Sequence, residues 1–231
     1  MSEAREKILR GIRRSLGRGP RLGEERAALQ ARLASPRPNL IPKRARLPHA
    51  EQVVLFQAMA EKLDATVARV SSLAEVPDAV AEYLAARNLP TTIRMSPDPE
   101  LDAIPWDRRP LLTLHRGRAA PEDLVGLTPA FAGIAETGTL MFASGAARPA
   151  TINFMPDTHI AVLRSSQVVG DYETAFARLR AAAGREDGLF MPRTVNLVTG
   201  PSRTGDIEQT LILGAHGPRR LHVVLVDDEA H

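Results

Sequence analysis

Two rhythms divide the chain. Near its start, apolar Ile8, Leu9, Ile12 and Leu16 recur at helical spacing among charged neighbours, and Ser2 stands where a cap would. The spacing predicts an amphipathic helix to Leu16, ended by Gly17, Gly19 and Pro20. A second short helix is expected over residues 24–33. The breaker-rich stretch Ser35-Pro36-Arg37-Pro38-Asn39-Leu40-Ile41-Pro42 then forms a linker. From His49 the pattern alternates between helix and strand. Residues 50–63 are helical and 66–70 a strand; 77–87 are helical, with Pro77 in the first turn, and 92–95 a strand. A strand over 110–114 and a short helix over 121–125 follow. The small-residue stretch 131–143 predicts paired strands around a turn at Thr137-Gly138. Residues 159–163 form a buried strand, 167–169 a short hairpin partner, and 171–183 a helix with an Asp cap.

The C-terminal pattern is strand over 194–199, a Gly/Ser/Arg loop, helix over 206–213 closed by Gly214, and strand over 221–226. Strand, helix and strand with so short a crossover imply a right-handed parallel βαβ unit. The whole predicts an α/β protein with an open, mostly parallel sheet, helices on both faces and at least one antiparallel excursion. Residues 1–49 form a basic helical arm and linker, and residues 50–231 the α/β domain. No internal repeat is visible.

Composition sharpens this outline. At 231 residues and 44% hydrophobic the chain has material for one ample core, and at 4% aromatic that core rests on Leu, Val, Ile and Ala. There is no cysteine. Disulfides, thiolate zinc sites and cysteine-held iron–sulfur clusters are therefore excluded, and any such redox chemistry must sit on another chain. No cofactor is expected here. No apolar run approaches the length of a membrane span, and the charged N-terminus lacks the core of a signal peptide, so a cytoplasmic protein without membrane insertion is expected.

The net charge of +3 conceals an asymmetry: residues 1–49 hold 13 Lys and Arg against 4 Asp and Glu, the remainder 17 against 23. The arm is basic and the domain mildly acidic. No aromatic interleaves the arginines, so the arm is expected to dock on an acidic partner or its own core, or to be solvated, rather than to bind nucleic acid.

Ligands of open α/β sheets bind beyond the carboxyl ends of strands. The loop Thr199-Gly200-Pro201-Ser202-Arg203-Thr204 is placed there by the predicted topology. Gly200 permits a tight turn, Ser202 and Thr204 offer hydroxyls, and Arg203 offers a fork of donors. The predicted helix would present its free N–H groups to the same spot, completing a cradle for a carboxylate or phosphate. The bland alternative is a strand-to-helix turn with a capping hydroxyl and a solvated Arg203. Gly200 and Gly205 have P-loop spacing, but Asp206-Ile207 stand where Lys and Ser or Thr are required. No Gly-x-Gly-x-x-Gly and no Gly-x-Ser-x-Gly occur, which removes the dinucleotide fingerprint and the hydrolase elbow.

A second candidate is Ala135-Glu136-Thr137-Gly138-Thr139. Glu136 among small residues suits a nucleophile or general base, or else an acceptor for backbone N–H groups in a tight turn. His159 opens a strand and either points into the site or packs in the core. His216, in a Gly-Ala-His-Gly-Pro loop, falls at the wrong end of the predicted sheet to share a site with Arg203, unless it serves a neighbouring subunit. No histidine grouping has metal-ligand spacing.

The runs Gly133-Ile134-Ala135-Glu136-Thr137-Gly138-Thr139 and Thr199-Gly200-Pro201-Ser202-Arg203-Thr204-Gly205-Asp206-Ile207-Glu208 resemble the LUD-domain family, and within it the lactate-utilization protein C branch. The likeness continues through Pro156–Val162 and Leu213–His222. It implies the fold group of sugar-phosphate isomerases and CoA-transferases (NagB/RpiA/CoA-transferase-like). It also implies a non-redox role in oxidising L-lactate to pyruvate beside iron–sulfur partner proteins, with a small carboxylate or phosphorylated ligand. It adds Asp206 and Glu208 to the candidate ligand-binding set of Thr137, Gly138, Thr139, His159, Thr199, Gly200, Ser202, Arg203 and Thr204. The alternative is a stand-alone isomerase or acyl/CoA transferase using Glu136, by analogy of fold.

Overall fold

The computed structural model describes residues 3–19, 22–182, 192–205 and 211–228. One compact unit runs to Asn39, and the described residues from Leu40 onward form a second. The first holds helix α1 (Glu3–Ser15) and helix α2 (Glu24–Ala34). Glu3 and Glu6 stand in the first turn of α1 and Arg13 and Arg14 in the last, each matched in sign to the helix dipole. No residue of α1 is buried.

The second unit is built on a six-stranded sheet in the order β1-β12-β7-β4-β2-β3. Its strands are β1 (Thr66–Val70), β2 (Thr92–Met95), β3 (Thr113–Arg116), β4 (Val125–Pro129), β7 (Thr158–Arg164) and β12 (Arg220–Val226). All its pairings are parallel. Strands buried on both faces read as apolar runs, and β7 and β12 show why. Ile160 and Val162 of β7 join Val224 and Val226 of β12 in one core, with Val80 and Leu84 of helix α4 (Val76–Ala86) and Leu101 of helix α5 (Pro99–Asp102). Ala161, Leu163, Val223 and Leu225 face the other way, onto Val53, Phe56 and Ala60 of helix α3 (His49–Lys62). The alternation also places the two strand histidines. His222 lies on the α4 side, stacked on Tyr83 with ring centroids 3.9 Å apart. His159 lies on the opposite side, against Phe142.

A second sheet, in the order β8-β5-β6-β9, shares that opposite face with α3. It consists of β5 (Ala132–Ile134), β6 (Thr139–Ala143), β8 (Val168–Val169) and β9 (Val195–Val198). Leu140 and Phe142 point to the large sheet, whereas Ile134 and Met141 turn to Ala175 and Leu179 of helix α6 (Tyr172–Ala182). The space between layers is narrow. A Cβ on Gly133 would come 2.7 Å from Leu163 Cδ2 and 3.0 Å from Phe56 Cε2.

The α/β class, the mostly parallel sheet and the flanking helices are as expected, but several elements differ. The helix expected over 206–213 does not include its last three residues, which are a strand. Arg203–Gly205 form strand β10 and Leu211–Leu213 form strand β11, paired antiparallel, while residues 206–210 lie outside the described set. The parallel βαβ unit is overturned, because β9 pairs antiparallel with β6 and β12 belongs to the other sheet. Residues 121–125 are not helical. The Asp123 carboxylate accepts from Arg94 Nε at 2.8 Å and from the Ala120 N–H at 2.7 Å, and Val125 begins β4. The strand expected over 110–114 is shifted to Thr113–Arg116, and Val168–Val169 pairs parallel with β5 rather than in a hairpin.

Gly138 carries the β5–β6 turn at φ 64, and a Cβ there would run into the backbone of Met59 and Ala60 in α3. Gly138→Ala should therefore destabilise by about 2 kcal/mol or more, through backbone strain and overpacking. Gly145→Ala, where an added Cβ meets nothing within 4 Å, should stay within about 0.5 kcal/mol. Urea midpoints of the two variants measured side by side test this.

Candidate functional site

The β5–β6 turn carries the first group of candidates. Glu136 is buried, and its Oε1 accepts from the Tyr172 N–H at 3.3 Å. Tyr172 is the first residue of α6, where a carboxylate is favoured by the helix dipole. Asp171 caps the same helix by accepting from the Thr174 N–H at 2.8 Å. Glu136 is thus an acceptor at a helix start.

Beside it four hydroxyls cluster. Thr139 Oγ1 lies 2.7 Å from Thr137 Oγ1, 2.9 Å from the Tyr172 hydroxyl and 2.8 Å from Thr199 Oγ1, and Thr137 Oγ1 lies 3.0 Å from the Tyr172 hydroxyl. Four contacts and four hydroxyl hydrogens let each group donate once within the cluster. The cluster ties the Thr137-Gly138-Thr139 turn to the end of β9, so the structure does bring the two motif runs together.

Beyond Thr199 the chain turns at Gly200, whose φ is 72 and whose Cβ position would meet the Leu63 carbonyl. The next residues lie alongside the loop before β12. The Ser202 N–H donates to Pro218 O at 2.8 Å, the Gly214 N–H to Ser202 O at 3.1 Å, and the His216 N–H reaches Ser202 Oγ at 3.4 Å. These two loops, with Asn153 and Phe154, wall a cleft of about 230 Å³ that is also lined by Leu197, Leu221 and His159. His216 therefore does share the site with Ser202 and Arg203, contrary to its expected place. The reason is topological: β9 runs in the smaller sheet, and its end meets the N-terminal ends of β7 and β12, where His159 and Leu221 stand.

The cradle is also differently built. Among the described residues the chain after Gly200 enters a strand, Arg203–Gly205, rather than a helix, and the Ser202 N–H is already bonded. Arg203 is drawn to the rim, where its guanidinium donates to Leu63 O at 3.0 Å and pairs with Asp64. The polar groups left at the cleft are the hydroxyls of Thr199 and Ser202, the amide of Asn153, the imidazole of His216 and, if Asp64 is displaced, Arg203. Thr204 enters β10, while Asp206 and Glu208 lie outside the described residues.

His159 forms the sealed floor. It is fully buried, its Nε2 lies 2.7 Å from Thr128 Oγ1, and its Nδ1 has no partner among the described residues. Burial lowers its pKa to about 3, so the ring is neutral. Tyr172, Asn153 and Phe154 escaped the sequence reading. Only Tyr172 carried a signal, standing next to the Asp171 cap.

A family model for the LUD domain matches residues 53–226. The chain belongs to the LUD-domain family. This LUD-domain protein is similar to proteins named Lactate utilization protein C. One from Geobacillus sp. (strain WCH70) is 36% identical over 104 residues, 45% of this chain and 42% of that protein. One from Exiguobacterium sp. is 41% identical over 104 residues, 45% and 44% respectively. One from Macrococcus caseolyticus is 31% identical over 128 residues, 55% and 54% respectively. The LUD-domain chain thus spans about half the length of the curated relatives it matches. A crystal structure of a DUF162 family protein from Deinococcus radiodurans superposes with a TM-score of 0.59 at 27% identity, covering 78% of this chain and 99% of that one.

Two outcomes follow for this LUD-domain protein. Thr139→Val keeps the shape of the hydroxyl hub and removes its oxygen, so it should cost about 1–3 kcal/mol in urea unfolding. The second concerns acid. Burial holds His159 at about 3 and His222 at about 4, both below the ordinary 6.5. The unfolded chain takes up these protons first, so the stability is full above roughly pH 6.5 and is lost as pH falls toward about 4. Between pH 7.5 and 5.0 each histidine should cost about 2 kcal/mol. His222→Gln should remove its share, as read from urea melts at the two pH values.

Proposed function

We propose that this chain is a non-redox component of a lactate-utilization system and that its cleft holds a small carboxylate or phosphorylated ligand. The observation that carries this reading is the convergence of Thr199, Ser202, Arg203 and His216 on one cleft, within a family whose curated members include proteins named Lactate utilization protein C. A cleft of about 230 Å³ suits a small ligand rather than a dinucleotide. The oxidation itself falls to iron–sulfur partner proteins, since this chain has no cysteine to hold a cluster. Glu136, engaged at the start of α6, supports the binding role of the 199–203 loop through the threonine cluster rather than by attack on a substrate.

Two measurements test the reading. A strain lacking the gene should fail to grow on L-lactate and recover with the intact gene; unimpaired growth would remove the role. In thermal unfolding, L-lactate, pyruvate or a small phosphate ester at 100 times its Kd should stabilise the chain by about 2.7 kcal/mol. Ser202→Ala should weaken that ligand by about five- to tenfold, the worth of one hydrogen bond. No shift with any of the three would remove the ligand.

A further inference from the structure

Helix α1 carries an exposed apolar surface. Ile8, Ile12 and Leu16 follow at intervals of four residues, so they form one stripe along the helix and its last turn. They are 62%, 49% and 60% exposed. On the helical wheel Lys7, Arg10 and Arg14 fall on the opposite side, Arg13 flanks the stripe, and Arg5 falls within it in the first turn. The helix holds five cations (Arg5, Lys7, Arg10, Arg13 and Arg14) against two acids, Glu3 and Glu6. Helix α2 and the residues before it repeat the apolar part, with Leu22, Leu29 and Leu33 exposed. Such a surface needs a partner that supplies apolar depth and negative charge together.

We propose that α1 lies on an anionic lipid bilayer surface, with Ile8, Ile12 and Leu16 in the acyl boundary and the arginines and Lys7 among the headgroup phosphates. Charge complementarity and the stripe select this occupant jointly. A nucleic-acid duplex supplies phosphates but nothing for three aliphatic side chains, and residues 3–39 contain no aromatic to stack on bases. A second copy of α1 would bring like charges together across the stripe. An amphipathic helix with a cationic polar face and a bilayer interface match on both counts, and long Arg and Lys stems reach from the boundary to the headgroups. With 13 residues α1 lies flat, since it is too short to span the hydrocarbon layer. Among the described residues no helix is long and apolar enough to cross a membrane, so contact through α1 is peripheral.

The test is flotation of the full chain with vesicles of phosphatidylcholine alone or with about one-third phosphatidylglycerol. Binding to the anionic vesicles should exceed binding to the neutral ones at least about tenfold and fall steeply in high salt. The double variant Ile8→Ser/Ile12→Ser should lose about tenfold while keeping its charge. Arg10→Glu/Arg14→Glu should also lose binding. Because both pairs are exposed, their urea unfolding should match the parent chain. Equal flotation with both vesicle types, or undiminished flotation of the serine variant, would overturn the proposal. So would self-association in light scattering, or duplex DNA binding, that these substitutions abolish in a chain that never floats with lipid.

Discussion

The alternating burial of β7 and β12 is the constraint on which the rest of this structure depends. Both strands lie inside a parallel sheet, so every residue must satisfy one of two cores. Even-numbered residues Ile160, Val162, Val224 and Val226 go to the α4 side, and odd-numbered Ala161, Leu163, Val223 and Leu225 go to α3 and the smaller sheet. A slip of one residue would exchange the two sets and move both histidines to the wrong layer. The register sets Ala161 opposite Thr128 on β4 and Val223 on β12, and that fixes where the second sheet must seat.

Seating two layers on one face leaves little room, and the small residues of the β5–β6 run are the consequence. Gly133 accepts Leu163 and Phe56 at close range, and Gly138 lets the turn pass against the backbone of α3. The same closeness brings Thr139 within reach of Thr199 and holds the end of β9 over the starts of β7 and β12. The cleft is thus a product of sheet-on-sheet packing. Its floor histidine stays neutral because that packing excludes water.

Much of this was legible in the chain. Strands β1 and β2 and helices α1 to α4 follow from local periodicity, and the turn at Thr137-Gly138 follows from its small residues. The chemistry-bearing runs were legible too, since residues 136–139 and 199–203 do meet in space. The failures share one cause. Leu211-Ile212-Leu213 is a short apolar run that periodicity cannot assign to helix or strand, and only pairing with Arg203–Gly205 decides it. His216 was misplaced because its position depends on which sheet owns β9.

By itself, the sequence determined the α/β class, the helical arm with its segregated charge, the family and the two runs that carry the candidate site. Those features rest on residue type and on spacings of two to four positions, which the chain carries wherever it folds. The tertiary structure alone decided that β9 pairs antiparallel with β6 and that Glu136 serves α6. It alone also drew His216 into the cleft and left Arg203 on Asp64. Each of those is a choice of partner between residues far apart in the chain, made by the packing of whole layers rather than by any local preference.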